Sequence, residues 1–129
     1  MQGSVVVVTG GSSGIGFVCA QTLMALGAQV ILIGWDPIDF TDESAAIQSR
    51  PDNVKSLFEV ADLSLLTETR ALAARLLDSQ GDIDVLLNNA SGFFRQRRET
   101  AEGLEYTFAL TTWPVLCCPN CCCPLFEGK

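Results

Sequence analysis

Thr9-Gly10-Gly11-Ser12-Ser13-Gly14-Ile15-Gly16 follows directly on the run Val5-Val6-Val7-Val8 and leads into a helix-compatible stretch over residues 14–26. Four β-branched residues in a row favour extended backbone. Glycines at Gly10, Gly14 and Gly16 let the chain turn sharply, approach a pyrophosphate closely and pack the helix onto the strand, while the first helical amides face the anion. Strand, glycine turn and helix stand in the order that a dinucleotide-binding unit requires. A tight turn that binds nothing is the competing reading of the glycines alone, and the rest of the chain has to decide between them.

Outward from the turn, short aliphatic runs alternate with longer helix-like stretches, the pattern of a parallel α/β sheet. Strands are expected near residues 4–8, 29–33, 54–59 and 83–87, each apolar on both faces as helix-covered strands are. Helices are expected near residues 14–26, 41–49, 64–79 and 100–110. Thr41 and Ser64 stand where hydroxyl N-caps belong, Leu65, Leu72 and Leu76 fall on one helical stripe, and Gly27 marks the stop of the first helix. Right-handed crossovers give the strand order 3-2-1-4, with the outer edge of the fourth strand open.

The 129 residues have room for one domain, and 48% hydrophobic against 18% charged residues is too apolar for disorder. A net charge of −7 disfavours a nucleic-acid partner, and Arg95, Arg97 and Arg98 read as a solvated loop. The absence of histidine excludes His-based proton transfer and the usual His metal sites. No basic flank, long apolar stretch or cleavage signal follows Met1, so the expected location is cytoplasmic.

Three segments in order carry a resemblance. Gly10, Gly14 and Gly16, spaced three and one apart and preceded by Thr9, resemble the signature of the short-chain dehydrogenase/reductase family rather than the general dinucleotide fingerprint. Ala61-Asp62-Leu63 is similar to that family's adenine-holding segment, and Asn88-Asn89-Ala90 to its Asn-Asn-Ala-Gly motif, which braces the sheet beside the cofactor. Thr100-Ala101-Glu102-Gly103-Leu104-Glu105, followed by Phe108-Ala109, resembles the retinol-dehydrogenase-like branch, and the likeness runs from about Ser4 to Leu110.

The resemblance implies a partial, truncated Rossmann-type doubly wound parallel sheet over residues 1–110, binding a nicotinamide dinucleotide, NAD or NADP. It assigns Gly10, Ser12, Ser13, Gly14, Ile15, Gly16, Asp62, Leu63, Asn88 and Ala90 to cofactor binding. It further implies hydride transfer with a lipophilic alcohol/carbonyl pair, and places residues 100–110 in the region such proteins use for subunit contact, so a homo- or heterodimer is a candidate partner. Two departures stand out. Ser91 replaces the motif's glycine, and Gly34-Trp35 stand where the family places an Asp for a ribose hydroxyl or an Arg for a 2′-phosphate. Asp36 serves either as the ribose ligand or as the cap of a turn before Pro37, and both readings stay open.

The family's proton donor is a Tyr whose pKa, about 10 when unaided, is lowered by a Lys four residues later. Tyr106 is the sole tyrosine and Leu110 stands four residues on, so this chain is expected to be inactive by itself, with no catalytic residue assigned. Alternatives to the enzyme reading are a cofactor-binding or dimerising fragment and a non-functional product. Residues 111–129 are expected to form an aberrant tail holding five of the six cysteines. Cys118 and Cys121 have C-x-x-C spacing, but a second ligand pair is missing, so no metal is expected. Regrouping the codons one base earlier turns Cys118, Cys121, Cys122 and Cys123 into leucines and makes Thr111-Thr112-Trp113 compatible with Asn-His-Leu, the family's own continuation. Sequencing the DNA around the Leu110 codon should therefore reveal a family-like frame one base out of register, with Tyr-x-x-x-Lys downstream. An intact cysteine-coding frame in unrelated context would refute the idea.

Overall fold

The valine run is strand β1, Val5–Thr9, with Val6, Val7 and Val8 buried as their β-branched shape on a pleated surface favours. After it come α1 (Gly14–Ala25), β2 (Gln29–Gly34), β3 (Ser56–Val60), α2 (Leu66–Gln80), β4 (Val85–Leu87) and α3 (Tyr106–Thr111) in a computed structural model that describes residues 1–37 and 56–112. The helix expected at residues 41–49, its cap Thr41 and residues 113–129 lie outside the described residues. The chain divides into two units, Met1–Val60 with Ile83–Asn89, and Ala61–Asp82 with Ala90–Lys129.

In the first unit the four strands pair in parallel in the order β3-β2-β1-β4, as the crossover rule requires. Val5 through Thr9 lie opposite Gln29 through Ile33, and Val6 through Val8 opposite Val85 through Leu87. Val6, Val8, Val30 and Leu32 form one core with Ala20 and Met24 of α1 and with Ala28, and Phe17, Leu23, Phe58 and Leu87 pack against it. The alternate residues Val7, Ile31 and Ile33 are buried as well, so β1 and β2 are apolar on both faces. The flanking strands are not, since Leu57, Val60 and Val85 are exposed, as befits strands that pair on one side only among the described residues. Helix α1 ends at Gly27, whose φ of +85° allows its N–H to reach Met24 O at 2.9 Å and Ala28 N–H to reach Leu23 O at 3.1 Å.

The second unit departs from the sequence in two places. Helix α2 starts at Leu66, and Ser64 does not cap it: the extended residue before the helix is Leu65, and the Ser64 hydroxyl is buried without a partner. Glu102, 36 residues away, accepts from Leu66 N at 2.6 Å and from Thr67 N at 3.0 Å, so a distant carboxylate does the work expected of a local hydroxyl. The helix expected over residues 100–110 is confined to Tyr106–Thr111. Thr100 Oγ1 instead accepts from Glu102 N and Leu104 N, both at 3.3 Å, and Gly103 turns at φ +80°. Glu105 then caps α3, taking Thr107 N at 3.1 Å and Phe108 N at 2.8 Å.

Backbone N–H donors hold the carboxyls of both Glu102 and Glu105 below the ordinary glutamate range. A depressed folded-state pKa means that these caps stabilise fully above the unfolded-state value and lose their effect as pH falls through the folded one. Thermal melts of Glu102→Gln and Glu105→Gln should show lower midpoints than the parent at neutral pH. The gap should close on acidification into and below the ordinary glutamate range, and a gap independent of pH would refute the assignment.

Candidate functional site

The carboxyl end of β1 is fixed by one side chain from beyond β4. Asn89 Nδ2 donates to Thr9 O and to Gly10 O, both at 3.1 Å, and Asn89 N donates to Thr9 Oγ1 at 3.0 Å. Thr9, itself buried, donates its hydroxyl to Leu87 O at 3.3 Å, while Gly11 N donates to Ile33 O at 3.0 Å. The start of the turn is thus tied to β1, β2 and β4 at once. Gly10 and Gly14 have φ of +63° and +56°, a left-handed backbone that side-chain-bearing residues rarely adopt. At Gly16 the requirement is space: a Cβ there would overlap Gly10 O and lie 2.5 Å from Asn89 Nδ2.

Beyond this brace α1 begins uncapped. Ser13, in extended conformation, makes no side-chain cap, and the first turn holds no acidic residue. The first helical bond runs from Phe17 N to Ser13 O at 3.3 Å, so the amides of Gly14, Ile15 and Gly16 precede it and concentrate the positive end of the helix dipole. A Cβ placed on Gly14 would meet no protein atom within 4 Å, whereas the Gly16 side is filled by protein. Room for an anion therefore lies on the outer side of the turn. Ser12 is buried, Ser13 and Ile15 are exposed, and Asn88 Oδ1 is a buried acceptor without a protein partner. These features fit a dinucleotide: donors for a pyrophosphate, open space beside them and an acceptor for a hydroxyl.

Gly10, Ser12, Ser13, Gly14, Ile15, Gly16 and Asn88 all fall in the first unit, and Asp62, Leu63 and Ala90 in the second. Asp62 Oδ1 accepts from Ser64 N at 2.9 Å, Asp62 N donates to Glu68 Oε2 at 2.8 Å, Leu63 is buried and Ala90 half-buried. Thr9 and Asn89, not among the expected site residues, do the bracing. The signal for Asn89 was its place in Asn88-Asn89-Ala90, where two adjacent amides are alike until the fold turns one toward the glycine turn. Tyr106 packs edge-on against Phe94, ring centroids 4.8 Å apart, and Arg95, Arg97 and Arg98 are exposed.

Compared with known proteins, residues 4–122 match the family model for short chain dehydrogenases, so the match runs past Leu110 into the cysteine-bearing tail. The uncharacterized oxidoreductase pbr1 of Schizosaccharomyces pombe is 40% identical over 119 residues, taking in 84% of this chain and 31% of that protein. Retinol dehydrogenase 12 of Mus musculus is 36% identical over 112 residues, covering 85% of this chain and 35% of that protein. The chain spans about a third of the length of these curated relatives. A crystal structure of a metagenomic short-chain oxidoreductase in complex with NADP superposes with a TM-score of 0.83 at 29% identity, over 98% of this chain and 57% of that one.

Removing the brace tests its role. Asn89→Ala leaves two carbonyls without their side-chain donor and should cost about 1–3 kcal/mol of stability in urea unfolding. An unchanged midpoint would show that the turn holds itself.

Proposed function

Because the chain belongs to the short chain dehydrogenase family, we propose that it supplies the adenosine and pyrophosphate part of a nicotinamide-dinucleotide site, for NAD or NADP. The activity to which that site belongs is oxidation and reduction of a lipophilic alcohol/carbonyl pair. The observation that carries this reading is the start of α1: three backbone amides ahead of the first helical bond, no capping side chain, no acid, and open space at Gly14. Retinol dehydrogenase 12 and the NADP-bound metagenomic oxidoreductase, similar over most of the chain, support it.

In this reading the amides of Gly14, Ile15 and Gly16 receive the pyrophosphate, with the Ser12 and Ser13 hydroxyls as further donors. Gly10 lets the backbone come close, and Asn88 Oδ1 accepts from a ribose hydroxyl. Asp62, Leu63 and Ala90 are assigned to the adenine and the cofactor wall through the family resemblance alone. The bound nicotinamide supplies the hydride donor or acceptor. No described residue supplies the proton: Tyr106 has Leu110 four positions on, and its ring is engaged with Phe94. The 129-residue chain by itself is accordingly proposed to bind nucleotide without turnover.

Ser13→Asp separates binding from folding. A carboxylate at this N-cap can accept from the first-turn amides and should raise the melting temperature, while its charge in the anion's place should weaken nucleotide binding by about tenfold. Calorimetric titration with NADH and NADPH, alongside a thermal melt, reads both. Turnover of lipophilic carbonyls by the pure chain, or heat unchanged by the substitution, would contradict the proposal.

A further inference from the structure

We infer that the loop over residues 93–98 docks on an anionic phospholipid surface, with the Phe93 ring seated among the headgroups and Arg95 and Arg98 on lipid phosphates. The inference goes beyond the nucleotide-binding reading and does not depend on it, since every residue it uses belongs to the second unit. The start of the loop is held in shape on α3. Gly92 lies against the Leu110 side chain, where an added Cβ would come to 2.7 Å, and its carbonyl accepts from Thr111 Oγ1 at 3.3 Å. Phe94 N donates to Thr107 Oγ1 at 3.4 Å, and the Phe94 ring packs edge-on against Tyr106. With its neighbours on both sides tied to α3, the Phe93 ring stands out in water, 84% exposed.

A lone exposed apolar residue needs no explanation. This one is followed within five residues by Arg95, Arg97 and Arg98, all exposed, whereas the other described arginines, Arg70 and Arg75, lie on α2. Arg97 pairs with Glu99 at 3.1 Å, a surface contact that is exchanged at little cost. Glu102 and Glu105 keep their carboxylates on the first amides of α2 and α3. Arg95 and Arg98 are left without an ion pair among the described residues.

A guanidinium grips phosphate oxygens with a planar fork, and its stem lies along apolar chains while its head stays in the headgroup layer. An aromatic ring beside it gains by leaving water for the boundary between headgroups and acyl chains. Either effect alone gives marginal attachment, and the loop presents both together. The net charge of −7 repels an anionic surface, but salt screens that repulsion beyond about 10 Å and weakens contacts at the phosphates much less. Nucleic acid needs cations along a path of several phosphates, which one short loop does not supply. Docking of this kind would bring the chain to the phase in which the lipophilic substrates proposed above partition.

The 129-residue chain is titrated with vesicles of phosphatidylcholine alone and of phosphatidylcholine and phosphatidylserine in equal parts, and bound protein is read by co-sedimentation. Binding is expected to the mixed vesicles only, and to weaken as salt is raised. Arg95→Gln and Arg98→Gln should each weaken it by about fivefold. Phe93→Ser should weaken it by about tenfold, and Phe93→Trp, which keeps an interfacial ring, should preserve it. All four variants should melt like the parent, because the side chains they change are exposed. Absence of binding, equal binding to phosphatidylcholine alone, or binding unmoved by the Phe93 and arginine substitutions overturns the inference. So does a short RNA that displaces the vesicles and binds Phe93→Ser as tightly as the parent, the mark of a general polyanion patch. Heat with NADH or NADPH does not enter this test, so docking and nucleotide binding stand or fall separately.

Discussion

The approach of α1 to the end of β1 is the constraint on which the first unit depends. Gly16 lies so close to the Gly10 carbonyl that no side chain fits between them, and the Asn89 amide occupies the remaining side while holding the Thr9 and Gly10 carbonyls. This contact sets where the helix starts, and the helix start sets where its free amides point. The same contact fixes α1 over Val6, Val8, Val30 and Leu32, so the core and the glycine turn share one geometric requirement. A few atoms thus hold both the packing of α1 and the shape of the turn.

Much of this was legible in the sequence because its causes are local or periodic. The valine run, the aliphatic stretch Val30-Ile31-Leu32-Ile33 and the stop at Gly27 each carry their own physical signal, and the crossover rule turns them into a strand order. The glycine turn was legible for the same reason, since each glycine answers a backbone demand. What escaped was long-range. Ser64 looks like a cap by every local criterion, but the donors at the start of α2 are met by Glu102, and no local pattern announces a partner 36 residues away. Asn89 escaped likewise, because two adjacent amides in Asn88-Asn89 are indistinguishable until the fold turns one toward Gly10.

The segment from Thr100 to Glu105 shows how a motif can be noticed for one reason and matter for another. Its likeness to a family branch pointed toward a helix and a subunit-contact region. In the structure its polar residues have backbone tasks: Thr100 closes a turn on itself, Glu102 reaches α2 and Glu105 starts α3. Thr, Gly and Glu at this spacing thus serve as connectors between helices within the second unit. The helix itself is only six residues long, because the turn consumes the residues that helix propensity alone would have assigned to it.

The Asn89 brace also bears on how the molecule comes to exist. Its partners Thr9 and Gly10 lie 80 and 79 positions earlier, nearly two-thirds of the chain, so these bonds close one of the largest loops in the molecule. Such a closure cannot precede the pairing of β4 with β1, and parallel pairing across so long a separation is a slow, high-contact-order event. The glycine turn is therefore assembled late on the folding path, after the strands around it. During synthesis on the ribosome the glycine turn emerges unbraced, and its carbonyls gain their side-chain donor only when residue 89 arrives.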